Sequence, residues 1–269
     1  MSMLPELYTL YLPIALMTLV GVPHGALDGY LLHSHSDSKR GTLALLVAYL
    51  GIVLACLLLW WWQPTLALLS FLILSLYHFG RSDHQEAGES VALTALIAHG
   101  GLWALFLPWQ QADATAVLFQ ALKTDPVILE SFLTPATAIW LLVSGLYLWQ
   151  QWRNKDQQWR VWVLSATAIV LLPPLWSLCL YFCLWHARRH TQWVLRSAQS
   201  PSEAKVWMLG LFSATLAMGA IAYAVLLPST AIETLTAQIF FIGIFALTVP
   251  HMILIDYYLG HFHNQQPSL

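Results

Sequence analysis

The sequence predicts an all-α, polytopic transmembrane helix bundle of about eight spans (seven to nine), formed as a single integral-membrane domain over residues 1–269. Two observations carry this. Hydrophobic residues make up 58% of the chain and charged residues 9%, against roughly 25% charged in a soluble protein, so a water-facing shell is missing. The apolar residues also fall into stretches near the ~20 residues that a helix needs to cross a bilayer.

Nine such segments succeed one another, at residues 8–32, 42–62, 64–80, 91–108, 133–150, 160–172, 175–196, 206–227 and 236–258. Pro64, Pro173 and Pro174 separate neighbours that would otherwise merge, because proline cannot continue a helical hydrogen-bond ladder. The connections are short apart from 109–131, which carries Asp113, Lys123, Asp125 and Glu130 and is expected on the membrane surface. Loops retained in the cytoplasm are enriched in Lys and Arg. With nine crossings and the N-terminus outside, every Lys and Arg except Lys123 falls on the inner side. Met1–Leu10 has no basic stretch and does not read as a cleaved signal peptide. The net charge of −2 offers no basic face for nucleic acid. Cys56, Cys179 and Cys183 have no zinc spacing.

Histidine departs from this pattern: the chain has 11, as many as Lys and Arg together, and an imidazole in hydrocarbon needs a partner. His24, His78, His186, His190 and His251 lie towards the cytoplasmic ends of their segments in the topology set by Lys and Arg. His186 and His190, four residues apart, share one helical face and can share a metal ion. Imidazole suits Fe, Zn, Cu or Ni. His24 and His78, each beside a glycine, are best placed to complete the set. Carboxylates recur nearby: Asp28 four residues after His24, Asp83 five after His78, and Asp256 five after His251. A ligating His usually donates its second N–H to such a group, and Asp28 is on the right face to serve His24. The plainer reading, in which these histidines only bridge helices by hydrogen bonds, stays open. His33, His35, His84, His261 and His263 lie in polar stretches and are expected to be solvated, and His99 is expected to be structural. The Trp-rich segment ends read as interfacial belts. Tyr77, Phe79, Tyr181, Phe182 and Trp185 flank the histidines and could line an apolar cavity, although aromatic packing also accounts for them. Val22-Pro23-His24 with Asp28 and Tyr30 is echoed by Val249-Pro250-His251 with Asp256 and Tyr258.

At these residues the sequence resembles the Brp/Blh family of bacterial and archaeal integral-membrane β-carotene 15,15'-dioxygenases. The motifs are Pro-His-Gly-Ala-Leu-Asp at 23–28, Tyr-His-Phe-Gly at 77–80 with Asp83, Trp-His-Ala-Arg-Arg-His at 185–190, and Pro-His-Met at 250–252 with Asp256. The resemblance implies a non-haem Fe(II) centre whose ligands fall on His24, His78, His186 and His190. It also implies oxidative cleavage of β-carotene by O₂ at its central double bond, giving two retinals. His251 and Asp28 match family positions as well. A retinal-binding rhodopsin is then a natural consumer of the product, and the inner membrane of a bacterial or archaeal cell the expected location. Four histidines leave positions open on the iron, and a substrate without polar groups must be selected by an apolar tunnel.

Other functions compete. A di-iron membrane desaturase needs boxes such as H-x-x-H-H, and that double-His ending is absent. A rhodopsin needs a mid-membrane Lys, whereas Lys39, Lys123, Lys155 and Lys205 sit at segment edges or in loops. A haem-binding electron carrier with facing His pairs, and a transporter relaying protons through His and Asp, remain alternatives.

Overall fold

The computed structural model describes residues 6–36, 38–85, 91–155, 157 and 159–265, with no side chains described at 83–85 or 257–265. Among the described residues every regular element is helical. Helix α1 spans Leu7–Ser34, α2 Lys39–Trp62 and α3 Pro64–Gln85. Helix α4 covers 93–110, α5 Ala112–Ala121, α6 Pro126–Asn154 and α7 Trp159–Leu171. Helix α8 covers 174–197, α9 is Pro201–Leu226 and α10 is Ile232–Gln265.

Each apolar segment read from the sequence falls on one helix, and the breaks have the expected chemistry. Pro64 and Pro174 open α3 and α8, where a missing N–H costs no helical bond. Asp125 caps α6 by accepting from the N–H groups of Val127 and Ile128, and Ser38 and Ser200 cap α2 and α9. By length and apolarity six helices can cross a membrane, α1, α2, α3, α6, α9 with its last turn, and α10; the protein is an integral membrane protein. Among the described residues these six are the candidates, and the expected count of about eight spans (seven to nine) is approximate. Helix α7 has only 13 residues, and α4 and α8 carry His99 and the Arg188–Arg189 pair within their length.

Helices α3 and α4 cross with their backbones in contact. A Cβ on Gly80 would run into the Leu96 carbonyl, and one on Gly100 into the Leu76 carbonyl. Only glycine permits that approach, the small-residue contact by which helices associate in lipid. The crossing fixes the end of α3 that carries His78. Trp140 and Trp162 both donate to the Ala98 carbonyl at 3.1 Å, joining α6 and α7 to α4. His99 is buried there and bonds the Tyr147 hydroxyl at 3.0 Å, apart from the other buried histidines.

Within the segment 109–131, Ala112–Ala121 form α5, and Thr115, Leu118 and Phe119 of this helix, with Leu122 just beyond it, line an apolar cavity. Gln238 of α10 holds the end of this helix by donating to the Ala121 carbonyl at 2.7 Å.

Candidate metal and substrate site

Four helices bring five histidines together: His24 from α1, His78 from α3, His186 and His190 from α8, and His251 from α10. All are buried, between 2% and 8% exposed. The His24 ring centroid lies 5.2 Å from His186, 5.6 Å from His190 and 5.3 Å from His251. His78 lies 4.9 Å from His186 and 5.4 Å from His251, and His190 lies 5.1 Å from His251. The Nε2 atoms of His78 and His186 face each other at 3.3 Å.

Local backbone chemistry aims these rings. One π-helical turn, Met17–Gly21, ends just before the Pro23-His24 pair, and another, Phe182–His186, ends on His186. Each added residue rotates the downstream side chains by about 100°, and such turns recur at functional sites. Pro23 has no N–H, and the Gly25 N–H bonds the Val22 carbonyl at 3.1 Å. The Gly21 carbonyl accepts instead from His24 Nδ1, which turns the His24 Nε2 lone pair away from its own helix.

The other ring partners differ from the expected pairing. Asp28 does not serve His24. Its two carboxylate oxygens lie 2.9 and 3.0 Å from His251 Nδ1, and the Tyr49 hydroxyl donates to it at 2.8 Å. On the curve of α1, the His24 ring turns back towards Gly21 while Asp28, a turn further on, meets α10. Asp256 does not serve His251 either; it accepts from the Tyr77 hydroxyl at 3.1 Å and pairs with Arg81 at 3.4 Å. Arg81 also donates to the Tyr77 hydroxyl. The side chains of Asp83, His84, His261 and His263 lie outside the described residues. His33 pairs with Glu203 at 3.1 Å in a half-exposed position, and His35 bonds the Leu31 carbonyl.

Two members of the site carry no signature motif. Ser82 places its hydroxyl 3.2 Å from His186 Nδ1; its one signal was a position four residues after His78. Tyr49 stands out only as a hydrogen-bonding side chain in the middle of the otherwise apolar α2.

An apolar cavity lies next to the cluster, with Phe79 and Phe182 between them. It holds about 870 Å³ of space not filled by atoms, its open mouth included. Along α3 its lining extends from Leu68 to Phe79, about 16 Å at 1.5 Å per residue, ending beside His78. Phe79 packs edge-on to His186 with centroids 5.0 Å apart. Phe182 stacks on His186 at 5.8 Å and meets His24 edge-on at 5.2 Å. Of the aromatic residues singled out from the sequence, Phe79 and Phe182 line the cavity. Tyr181 stands behind it, stacked on the cavity residue Trp103 at 4.2 Å. Tyr77 turns to Asp256, and Trp185 lies under the Arg189 guanidinium at 4.8 Å.

The donor set suits a transition metal. With a metal–nitrogen bond of about 2.1 Å, two adjacent imidazole ligands have centroids roughly 4.5–5.2 Å apart, close to the spacings between 4.9 and 5.6 Å found here. Among the described residues no three His, Cys, Asp or Glu side chains are already arranged around one metal position. The buried Nε2 of His251 has no hydrogen-bond partner, the state of a nitrogen that awaits a ligand.

Fold and site together define a helical membrane protein with a buried histidine cluster beside an apolar cavity. A family model described as beta-carotene 15,15'-dioxygenase matches residues 15–258. The beta-carotene 15,15'-dioxygenase of an uncultured marine bacterium, 66A03, is 32% identical over 253 residues, which cover 91% of this chain and 92% of that protein. The probable beta-carotene 15,15'-dioxygenase Blh of Halobacterium salinarum is 25% identical over 295 residues, covering 92% and 84%. No solved structure matches the chain. The chain belongs to the Brp/Blh family of beta-carotene 15,15'-dioxygenases.

Proposed function

We propose that this protein cleaves β-carotene at its central 15,15' double bond, using O₂ and an Fe(II) ion held by His24, His78, His186 and His190, and releases two molecules of retinal. The observation that carries this reading is an apolar cavity whose wall residues Phe79 and Phe182 pack directly against a cluster of buried imidazoles. When bound, the iron supplies the oxygen chemistry: one C=C bond breaks, two C=O bonds form, and each half receives one oxygen atom.

The protein's own part is positioning. A hydrocarbon offers no polar group to grip, so register along the polyene depends on the shape of the cavity. Leu68, Phe71, Leu72 and Phe79 on α3, facing Phe240, Phe241 and Ile244 on α10, supply that wall. Phe79 and Phe182 stand between cavity and imidazoles, where they hold the reacting carbons near the nitrogen cluster and exclude water. The bundle lies in lipid, where β-carotene is dissolved, so substrate reaches the site without crossing water. With nine crossings and the N-terminus outside, the bias of Lys and Arg supports a site towards the cytoplasmic side, where a retinal-binding rhodopsin in the same membrane could take the product.

The test is product analysis. Detergent-solubilised protein loaded with Fe(II) is given β-carotene in air, and the extract is chromatographed for retinal. Retinal as the product, and an orange β-carotene-producing host turned pale on expression, support the reading. Unchanged β-carotene with iron bound overturns it.

A further inference from the structure

We infer that His251 is a fifth nitrogen donor to the metal of the proposed site, held for that task by Asp28 and, behind it, Tyr49. The inference rests on the metal reading above and extends the set of four histidines that the family resemblance supplies.

His251 occupies the cluster as a member. Its centroid lies 5.3 Å from His24, 5.4 Å from His78 and 5.1 Å from His190, so it packs against three of the four expected ligands. Its proton is assigned by its partner. Asp28 is 2% exposed and accepts at Nδ1 through both oxygens, so the hydrogen sits on Nδ1 and the lone pair on Nε2. That Nε2 is buried without a hydrogen-bond partner, a costly state inside an apolar bundle unless something else binds there. Carboxylate, imidazole and metal in line is the usual way a ligating ring is oriented and made more basic.

Tyr49 completes the device from a third helix. Its hydroxyl donates to Asp28 at 2.8 Å and lies 3.4 Å from the Leu247 carbonyl, one turn before His251. An Asp–His pair could also act as a general base. β-Carotene offers no acidic proton, and its oxidative cleavage transfers none overall, so this pair has nothing to deprotonate.

The experiment uses the full chain in detergent with Co(II), whose visible ligand-field bands report coordination. Wild-type protein should bind one Co(II), with X-ray absorption fitted by five imidazole nitrogens. His251→Gln should weaken Co(II) binding at least tenfold and change the bands. In His251→Gly, free imidazole should return the bands to the wild-type pattern, which a merely structural histidine would not do. Asp28→Asn should weaken binding about tenfold, with a smaller spectral change. A wild-type chain that takes up no Co(II) overturns the metal reading itself. Wild-type uptake with four or fewer imidazoles, or His251→Gln with unaltered bands and affinity, overturns the fifth ligand alone. The wild-type absorption measurement stands if the variants fail to fold.

Discussion

His251 and Asp28, 223 residues apart, meet through His251 Nδ1 and both carboxylate oxygens at 2.9 and 3.0 Å. The contact joins the first and last helices at the histidine cluster, and Tyr49 ties α2 to the same point. A carboxylate buried in an apolar bundle is tolerated only when its oxygens are occupied, so this joint supports the fold as well as the site.

Asp28→Ala should therefore destabilise the protein much more than Asp256→Ala. Removing Asp28 strands the His251 Nδ1–H and leaves the Tyr49 hydroxyl only the longer bond to the Leu247 carbonyl at 3.4 Å, a loss of about 2–4 kcal/mol. Asp256 pairs with Arg81 where their side chains are 35% and 27% exposed, and its loss should cost about 0–1 kcal/mol. Thermal unfolding in detergent checks the difference; equal losses would contradict it.

His186→Ala and His190→Ala should each abolish retinal formation and lower bound iron, measured by mass spectrometry of the purified protein. Retained iron and activity in both would remove them from the ligand set.

Ser82→Ala should weaken iron binding about 10- to 100-fold, the usual effect of losing a ligand's hydrogen-bond partner, because its hydroxyl lies 3.2 Å from His186 Nδ1. A metal titration reads this directly. Unchanged affinity would mean that Ser82 does not orient the ring.

Leu118→Trp tests the cavity apart from the metal. Leu118 lies on α5, in the cavity wall, and an indole there should cut β-carotene cleavage at least tenfold while bound iron stays at the wild-type level. Full activity would show that the polyene lies elsewhere.

Gly100→Ala should be destabilising by about 1–3 kcal/mol, because its methyl group would meet the Leu76 carbonyl of α3. Gly145→Ala on α6, where an added Cβ would meet open space, is the control in the same thermal assay and should change little.

Apolar runs, prolines and the scarcity of charge determined the helices, since lipid requires every backbone group to be satisfied within its own segment. They also marked His24, His78, His186 and His190, because an imidazole is conspicuous where almost everything else is hydrocarbon and because i,i+4 spacing places two rings on one face. Partnership could not be read in this way. Asp28 is four residues from His24, yet Pro23 and the π-helical turn before it send the ring to the Gly21 carbonyl, and Asp28 goes to His251 on the far end of the chain. The cavity depended on the charged segment 109–131 folding into α5 and closing over α3, α8 and α10. Sequence spacing reports neighbours along one helix. Which helices touch, and which ring nitrogen is left to bind, is set by packing between segments far apart in the chain, and only the tertiary structure decided it.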